Sequence, residues 1–424
     1  MIHNKEVSMR RIIRLAVVAF LVLCMLGSVG AQGKPKEVLF WNGYTGPDRP
    51  AVENLVAKFN ESNADVKIKM EIMPWDSLYQ KLLPALIAGN GPDIIGFSAG
   101  RVPEYAAAGK LEALDDYFKN SSLKRDVLVP GLMQAGTYKG KLYAVPMAFA
   151  SMVMYYNKDH FKAAGLDPEN PPKTLTELSA AWKKLLKVDA AGNVIQYPQA
   201  IGIKATVPMI PVFIWNHGAD IVTADGKSGL SDPKAIEAMK FLQNAFVKDK
   251  VSPVGLTGQE ADNLFAAGKA SIEWNGPWAI NGFRGAGINL GIAEVPAGPA
   301  GRITWSGDTV LVISKDSKQK ESAWKFLEYW NSLASQKYWA MTVAFPPTRL
   351  DMGNDPDLAK NKDLSYFLKA GAYAKSYLPA QTKAGRIEEE ILVPLYESVF
   401  RNMETVESAM KKADTQLTKL LSEK

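Results

Sequence analysis

From Val38 onward the chain alternates two kinds of pattern, and that alternation restricts it to few folds. Val38-Leu39-Phe40-Trp41 is a short β-rich run, Asn42 to Pro47 reads as a turn, and Val52, Leu55, Val56 and Phe59 recur at helical spacing. Asn60 to Asn63 stops the helix before a second strand, Val66 to Ile72, so the opening unit is β-α-β. A further helix is expected from about Trp75 to Ala88, stopped at Gly89-Asn90-Gly91-Pro92, with a strand at Asp93 to Phe97. Repetition of this unit implies an α/β lobe with a largely parallel sheet.

The 424 residues exceed what one ordinary core serves, so two lobes are expected. Leu142–Pro146 and Met152–Tyr156 are apolar runs joined by a segment that reads as a crossing between lobes. The alternation then restarts, with helices expected at 174–187, 233–248 and 258–267 and strands near 201–203, 270–274 and 290–295. Pro296 to Gly301 reads as a second crossing and Pro346-Pro347 as a third. The lobes would comprise 32–145 with 302–346, and 146–301 with 347–424. Segments 363–377, 386–401 and 404–422 are helical in pattern, and Glu388-Glu389-Glu390 reads as a solvated helix face.

Residues 1–31 read as a secretory signal peptide: Arg10, Arg11 and Arg14 precede the apolar run Leu15–Leu26, and small residues end at Ala31. Cleavage after Ala31 lowers the formal charge from +6 to +3, so the basic balance is partly the export signal. The only cysteine, Cys24, lies inside this segment and follows Leu23, where lipidation would want a small residue. Export to the periplasm or the outer face of the cell envelope, without a lipid anchor, is the expectation. No basic patch interleaved with aromatics supports nucleic-acid binding.

Little in the chain points to catalysis. His160 and His217 lack neighbours at metal-ligand spacing, there is no Gly-x-Ser-x-Gly elbow, and Gly226-Lys227-Ser228 lacks the glycine that opens a phosphate loop. A non-enzymatic chain with no metal and no organic cofactor is expected; a secreted glycoside hydrolase is the enzyme alternative, since two of 44 acidic residues could meet across a cleft. Of ten tryptophans, Trp182, Trp324, Trp330 and Trp339 sit in helical patterns and read as packing. Trp41, Trp75, Trp215, Trp274, Trp278 and Trp305 fall at strand ends, helix starts or loops, where open α/β sheets bind ligands. Aromatic faces suit the C–H faces of sugar rings.

Several segments together resemble the extracellular solute-binding proteins, the family that includes the maltose-binding protein of ABC importers. They are Phe40-Trp41 with Leu55 to Asn60; Lys81-Leu82-Leu83 with Ala88 to Ile95; Tyr155 to Asp159 with Ala164-Gly165-Leu166 and Pro171 to Thr174; Phe265 to Ala270; Asn275-Gly276-Pro277-Trp278; and Val312 to Lys315 with Ala323 to Leu327. The resemblance implies two α/β lobes of the type II periplasmic-binding-protein fold, three hinge crossings, and a ligand buried by lobe closure. It implies that Trp278 stacks on sugar, that Arg101 binds sugar hydroxyls and that Phe97 is a pocket aromatic. Ala150 and Ser151 stand where the family's maltose binder has a glutamate, and Gly100 replaces its aspartate, which argues against maltose itself. Some members bind glycerol phosphates and share Pro171 to Thr174, which makes a glycerol 3-phosphate or glycerophosphodiester binder the second reading. On this basis Tyr44, Trp75, Trp215, Trp278 and Trp305 are expected to stack, and Asn42, Asp48, Ser98, Arg101, Asn275, Asp308 and Arg349 to supply polar contacts. The expected partners are a carbohydrate, in all likeness to the family an oligosaccharide, and a membrane permease driven by a separate ATPase, with the chain itself a monomer.

Overall fold

The computed structural model describes residues 34–204, 208–378 and 381–423, and of Asp308 the backbone only. Residues 1–31, expected to be a signal peptide, lie outside the described residues.

The opening β-α-β unit forms where the apolar spacing places it. β1 (Lys36–Asn42) pairs in parallel with β2 (Val66–Ile72) and with β3 (Ile94–Ser98). The helix Arg49–Ser62 between β1 and β2 buries Val52, Leu55, Val56 and Phe59, the residues whose spacing announced it. A small hairpin, β4 (Thr137–Tyr138) and β5 (Lys141–Leu142), precedes β6 (Ala144–Ser151). The chain leaves the first sheet at Met152 and enters the second as β7 (Val153–Asn157). There β8 (Lys187–Val188), β9 (Val194–Ala200), β10 (Ala270–Asn275) and β11 (Leu290–Ala293) complete the order β11-β7-β10-β9-β8.

The return crossing leads into β12 (Thr304–Ile313), which inserts antiparallel between β6 and β3. β13 (Ala374–Ser376) then pairs in parallel with Thr304–Ser306 at the start of β12. Both sheets are therefore mixed rather than largely parallel: the strands that cross between lobes enter antiparallel to their neighbours, β12 against β3 and β6, and β7 against β10 and β11. Each sheet carries apolar clusters on both faces, so each lobe is a three-layer α/β unit.

Helices Leu175–Leu185, Pro233–Val247 and Gly258–Ala266 lie where periodicity puts them, and side chains of Thr174, Asp232 and Thr257 cap their N-termini. Trp182, Trp330 and Trp339 are fully buried and Trp324 nearly so, in line with packing. The expected strand at 201–203 lies just before those residues, as β9. The helical pattern at 363–377 ends at Gly371, because Ala374–Ser376 is drawn into the first sheet. The pattern at 386–401 is broken into a π-helical turn, Ile387–Leu392, and a helix, Val393–Phe400. Pro394 explains the break: it has no N–H for the carbonyl of Glu390, and its ring would press on that carbonyl, so the turn before it widens. The C-terminal helices pack on the second lobe, with Phe400 stacked on Phe246 at 4.2 Å between ring centroids.

Candidate functional site

Three tryptophans expected at a cleft are each seated on a glycine. A Cβ at Gly43 would overlap the ring of Trp75, one at Gly276 the ring of Trp278, and one at Gly307 the ring of Trp305. No positive φ is involved at these three; the glycines are required because an indole lies flat on the backbone. In two of the pairs the residues are only two apart in sequence, a local signal that an indole is folded back over its own chain.

These rings belong to one connected run of aromatic contacts across both lobes. Trp305 meets Trp278 edge-on at 6.3 Å, and Trp278 lies 5.9 Å from Phe345. Phe345 is 5.0 Å from Trp339, and Tyr44 meets the edges of both Trp339 and Trp75 at 5.6 Å. Trp75 stacks on Tyr79 at 6.1 Å, and the Arg101 guanidinium lies 4.5 Å over the Tyr79 ring. Trp278 touches apolar clusters of both lobes, which puts it at their junction. Trp75, Trp278 and Trp305 keep part of their surface open, so their faces are available to a ligand.

The turn that presents Trp278 is held by a buried polar network. The Asn275 amide donates to Asp262 Oδ1 at 2.7 Å and to Glu273 Oε1 at 3.0 Å, and its oxygen accepts from the Gly276 N–H. The Tyr155 hydroxyl donates to the Gly276 carbonyl at 2.7 Å. Burial, with Asp262 beside it, raises the Glu273 carboxyl well above the usual range, so that it can carry the proton the pair shares. Asn275 is thus committed to shaping the turn.

The other expected residues fall into three groups. Near the aromatic run, Asn42 ends β1 with its oxygen accepting the Tyr44 N–H, and its amide nitrogen is buried without a partner among the described residues. Asp48 begins the helix Arg49–Ser62 but makes no capping bond, and burial pushes its carboxyl up to about 7. Ser98 is exposed at the end of β3, where its N–H donates to the Tyr79 hydroxyl. Asp308 sits on β12 opposite Phe149, its side chain outside the described ones. Away from the run, Phe97 is fully buried against Tyr105 in the first lobe. Arg349 is spent on Asp351 and on the Asn331 carbonyl. Trp215 is buried in the apolar helix Met209–His217, with the Lys375 ammonium 5.5 Å over its ring and Lys375 itself paired with Asp220.

Across from Arg101, the second lobe brings a second set of polar groups that sequence reasoning missed. A Cβ on Gly385 would strike the Arg101 guanidinium, and one on Gly100 would lie 3.5 Å from the Tyr377 carbonyl, so the two lobes meet closely here. Glu388, expected on a solvated face, turns inward on the π-helical turn and lines a crevice with Pro208, Tyr377 and Tyr396. Burial pushes its carboxyl up to about 7 against the opposing pull of Arg101. Glu389 and Glu390 do face solvent, Glu390 pairing with Arg386. Pro394, which widens the turn, was the available signal. At the opposite end of the cleft a Cβ on Gly282 would stand 2.9 Å from the ring of Pro47, a second close approach between lobes.

Among the described residues no cluster of three His, Cys, Asp or Glu could hold a metal ion, and no helix is long and apolar enough to cross a membrane. The chain matches the family model of bacterial extracellular solute-binding proteins over residues 54–365. It is 26% identical to the maltotriose-binding protein of Pyrococcus abyssi over 360 residues, 83% of this chain and 75% of that protein. It is 28% identical to the sn-glycerol-3-phosphate-binding periplasmic protein of Agrobacterium fabrum over 277 residues, 61% of each chain. Its structure superposes with a TM-score of 0.82, at 27% identity, on an ABC transporter solute-binding protein of Thermotoga lettingae bound with α-D-tagatose, covering 91% of this chain and all of that one. With two α/β lobes meeting over a shared cleft and a family match across most of its length, the chain belongs to the bacterial extracellular solute-binding proteins.

Proposed function

We propose that this chain captures a carbohydrate, an oligosaccharide rather than a single sugar, and delivers it to the membrane permease of an ABC importer whose ATPase is a separate subunit. The observation that carries the reading is the set of partly open indoles Trp305, Trp278 and Trp75, linked through the buried rings of Phe345, Trp339 and Tyr44 and continued by Tyr79 to Arg101. Flat apolar faces with polar groups at the ends match a saccharide, whose rings have C–H faces and hydroxyl edges. The length of the run supports more than one ring. Binding in the open state followed by closure follows if ligand contacts come from both lobes, because only the closed state makes all of them.

Within this reading the lobes divide as 32–145 with 302–346 and 146–301 with 347–424; the pairing of β6 through Ser151 supports moving the first boundary to Met152, and the pairing of Ala374–Ser376 with β12 supports returning that strand to the first lobe. The protein acts as a monomer after export, in the periplasm or on the outer face of the envelope, and catalyses no reaction. Trp75, Trp278 and Trp305 supply stacking surface, with the buried Tyr44 packed behind Trp75 rather than open to stack as expected; Asn42, Asp48, Ser98, Arg101 and Asp308 supply polar contacts; Asn275 acts through the Trp278 turn.

The test is a thermal-shift panel of mono- and oligosaccharides with glycerol 3-phosphate, since a ligand bound only by the folded state raises Tm. A shift is expected with a saccharide, and Trp278→Ala should weaken that saccharide by about tenfold, on the order of 1 kcal/mol or more. An unchanged affinity in Trp278→Ala would reduce that residue to packing. Silence with every saccharide would withdraw the carbohydrate reading.

A further inference from the structure

Glu388 is a half-buried carboxylate of the second lobe that lines a narrow crevice with Pro208, Tyr377 and Tyr396, three residues on from Gly385, whose Cα abuts the Arg101 guanidinium, and it has no ion-pair partner within salt-bridge distance among the described residues. The groups around it come from both sides: Tyr377 and Tyr396 from its own lobe, and Arg101, Tyr79 and Asp76 from the other. Arg101 is not free to neutralise it alone. The guanidinium is also drawn to Glu104, 3.5 Å away, and to the face of Tyr79. Lys375, over the ring of Trp215, is already paired with Asp220. A second carboxyl, Asp48, is buried beside Tyr44, within the aromatic run. Around Glu388 the acidic groups Asp76, Glu104 and Glu389 therefore share one guanidinium, that of Arg101.

We infer that Glu388 is the second lobe's contact to the ligand, accepting hydrogen bonds from saccharide hydroxyls opposite Arg101, and that its charge excludes phosphorylated or uronic sugars. This rests on the carbohydrate reading above and sharpens it to saccharides without an acidic group. Hydroxyl donors satisfy a carboxylate that is otherwise desolvated on closure, whereas an anionic ligand adds a like charge to a site with one cation to share. With the Glu388 carboxyl pushed up to about 7 by burial, an anionic ligand beside it costs either charge repulsion or uptake of a proton, whereas a hydroxyl donor costs neither. The break before Pro394 is what turns the side chain inward, and such π-helical turns recur at functional sites.

The experiment titrates the exported chain, as wild type, Glu388→Gln and Glu388→Asp, with whichever neutral saccharide shifts the wild type and with its phosphorylated and uronic counterparts. Far-UV circular dichroism melts confirm that each variant is folded. Wild type is expected to bind the neutral sugar at least about tenfold more tightly than either anionic form, and Glu388→Gln to weaken the neutral sugar about tenfold while narrowing that gap. Glu388→Asp, which keeps the charge on a shorter stem, should lose neutral-sugar affinity and keep the discrimination. If Glu388→Gln binds the neutral sugar within twofold of wild type, or if wild type takes the phosphorylated or uronic form equally well, the inference is overturned while the carbohydrate reading stands. Glycerol 3-phosphate binding by wild type with no saccharide bound would overturn both.

Discussion

Asp48 shows how much a single buried side chain can set. It opens the helix Arg49–Ser62, yet makes no cap hydrogen bond, and burial pushes its carboxyl up to about 7. The unfolded chain would ionise it near the usual value of about 4, so between these values the folded state holds the extra proton. The contribution of this group to stability is full below the unfolded value and is lost as pH rises through about 7. Melting curves at pH 5 and pH 8 should show the wild type losing more Tm over that interval than Asp48→Asn, which cannot titrate; equal losses would mean that the carboxyl is paired or solvated. At this scale the sequence was informative about tryptophan and poor about charge. Placement at strand ends and helix starts singled out Trp75, Trp278 and Trp305, but the same placement also selected Trp274, which is fully buried and stacked on Phe213 at 4.5 Å. A tryptophan on a strand faces either the core or the cleft, and only the sheet's register decides which.

Among elements, the turn from β10 into the helix Ala279–Gly285 concentrates the most polar bonding around the fewest residues. Asn275 alone ties Asp262, Glu273 and the Gly276 N–H together. Asn275→Ala should cost about 2 to 3 kcal/mol, because two buried carboxyl groups lose a donor, and thermal melts would register it. The same variant should also weaken saccharide binding through the misplaced Trp278 ring; a stability loss with unchanged affinity would separate the network from the site. Here the resemblance carried Asn275-Gly276-Pro277-Trp278, whereas the carboxyl pair behind it was invisible, since Asp262 lies on a preceding helix and meets Glu273 only after the sheet forms. Amphipathic helices were legible to within a residue or two because a 3.6-residue period survives any tertiary arrangement. Strands β12 and β13 were not, because the partner that draws Ala374–Ser376 out of a helical pattern lies some 70 residues earlier in the chain.

The whole molecule is a two-lobed body whose lobes approach each other at Pro47 and Gly282 on one side and at Arg101 and Gly385 on the other. Gly282→Ala would place a methyl group 2.9 Å from the Pro47 ring, which cannot rotate aside. Such overpacking costs on the order of 1 kcal/mol or more at a contact between the lobes, so ligand affinity should drop about fivefold or more if closure requires that contact. Unchanged affinity would mean that closure leaves more room there. The two-lobed plan was readable from chain length and the restart of the alternation; the ownership of each crossing strand was not, since β6 and β7 are equally apolar and adjacent in sequence. The route of the chain through that plan also governs when either lobe can be finished. β12 fills the gap between β3 and β6, so the first sheet stays split until Ile313 has been made, and the second core waits for Phe400 to reach Phe246. A ribosome has therefore made 313 of the 424 residues before the first sheet can close and 400 before the second core can, which leaves a long interval in which the chain is still threadable.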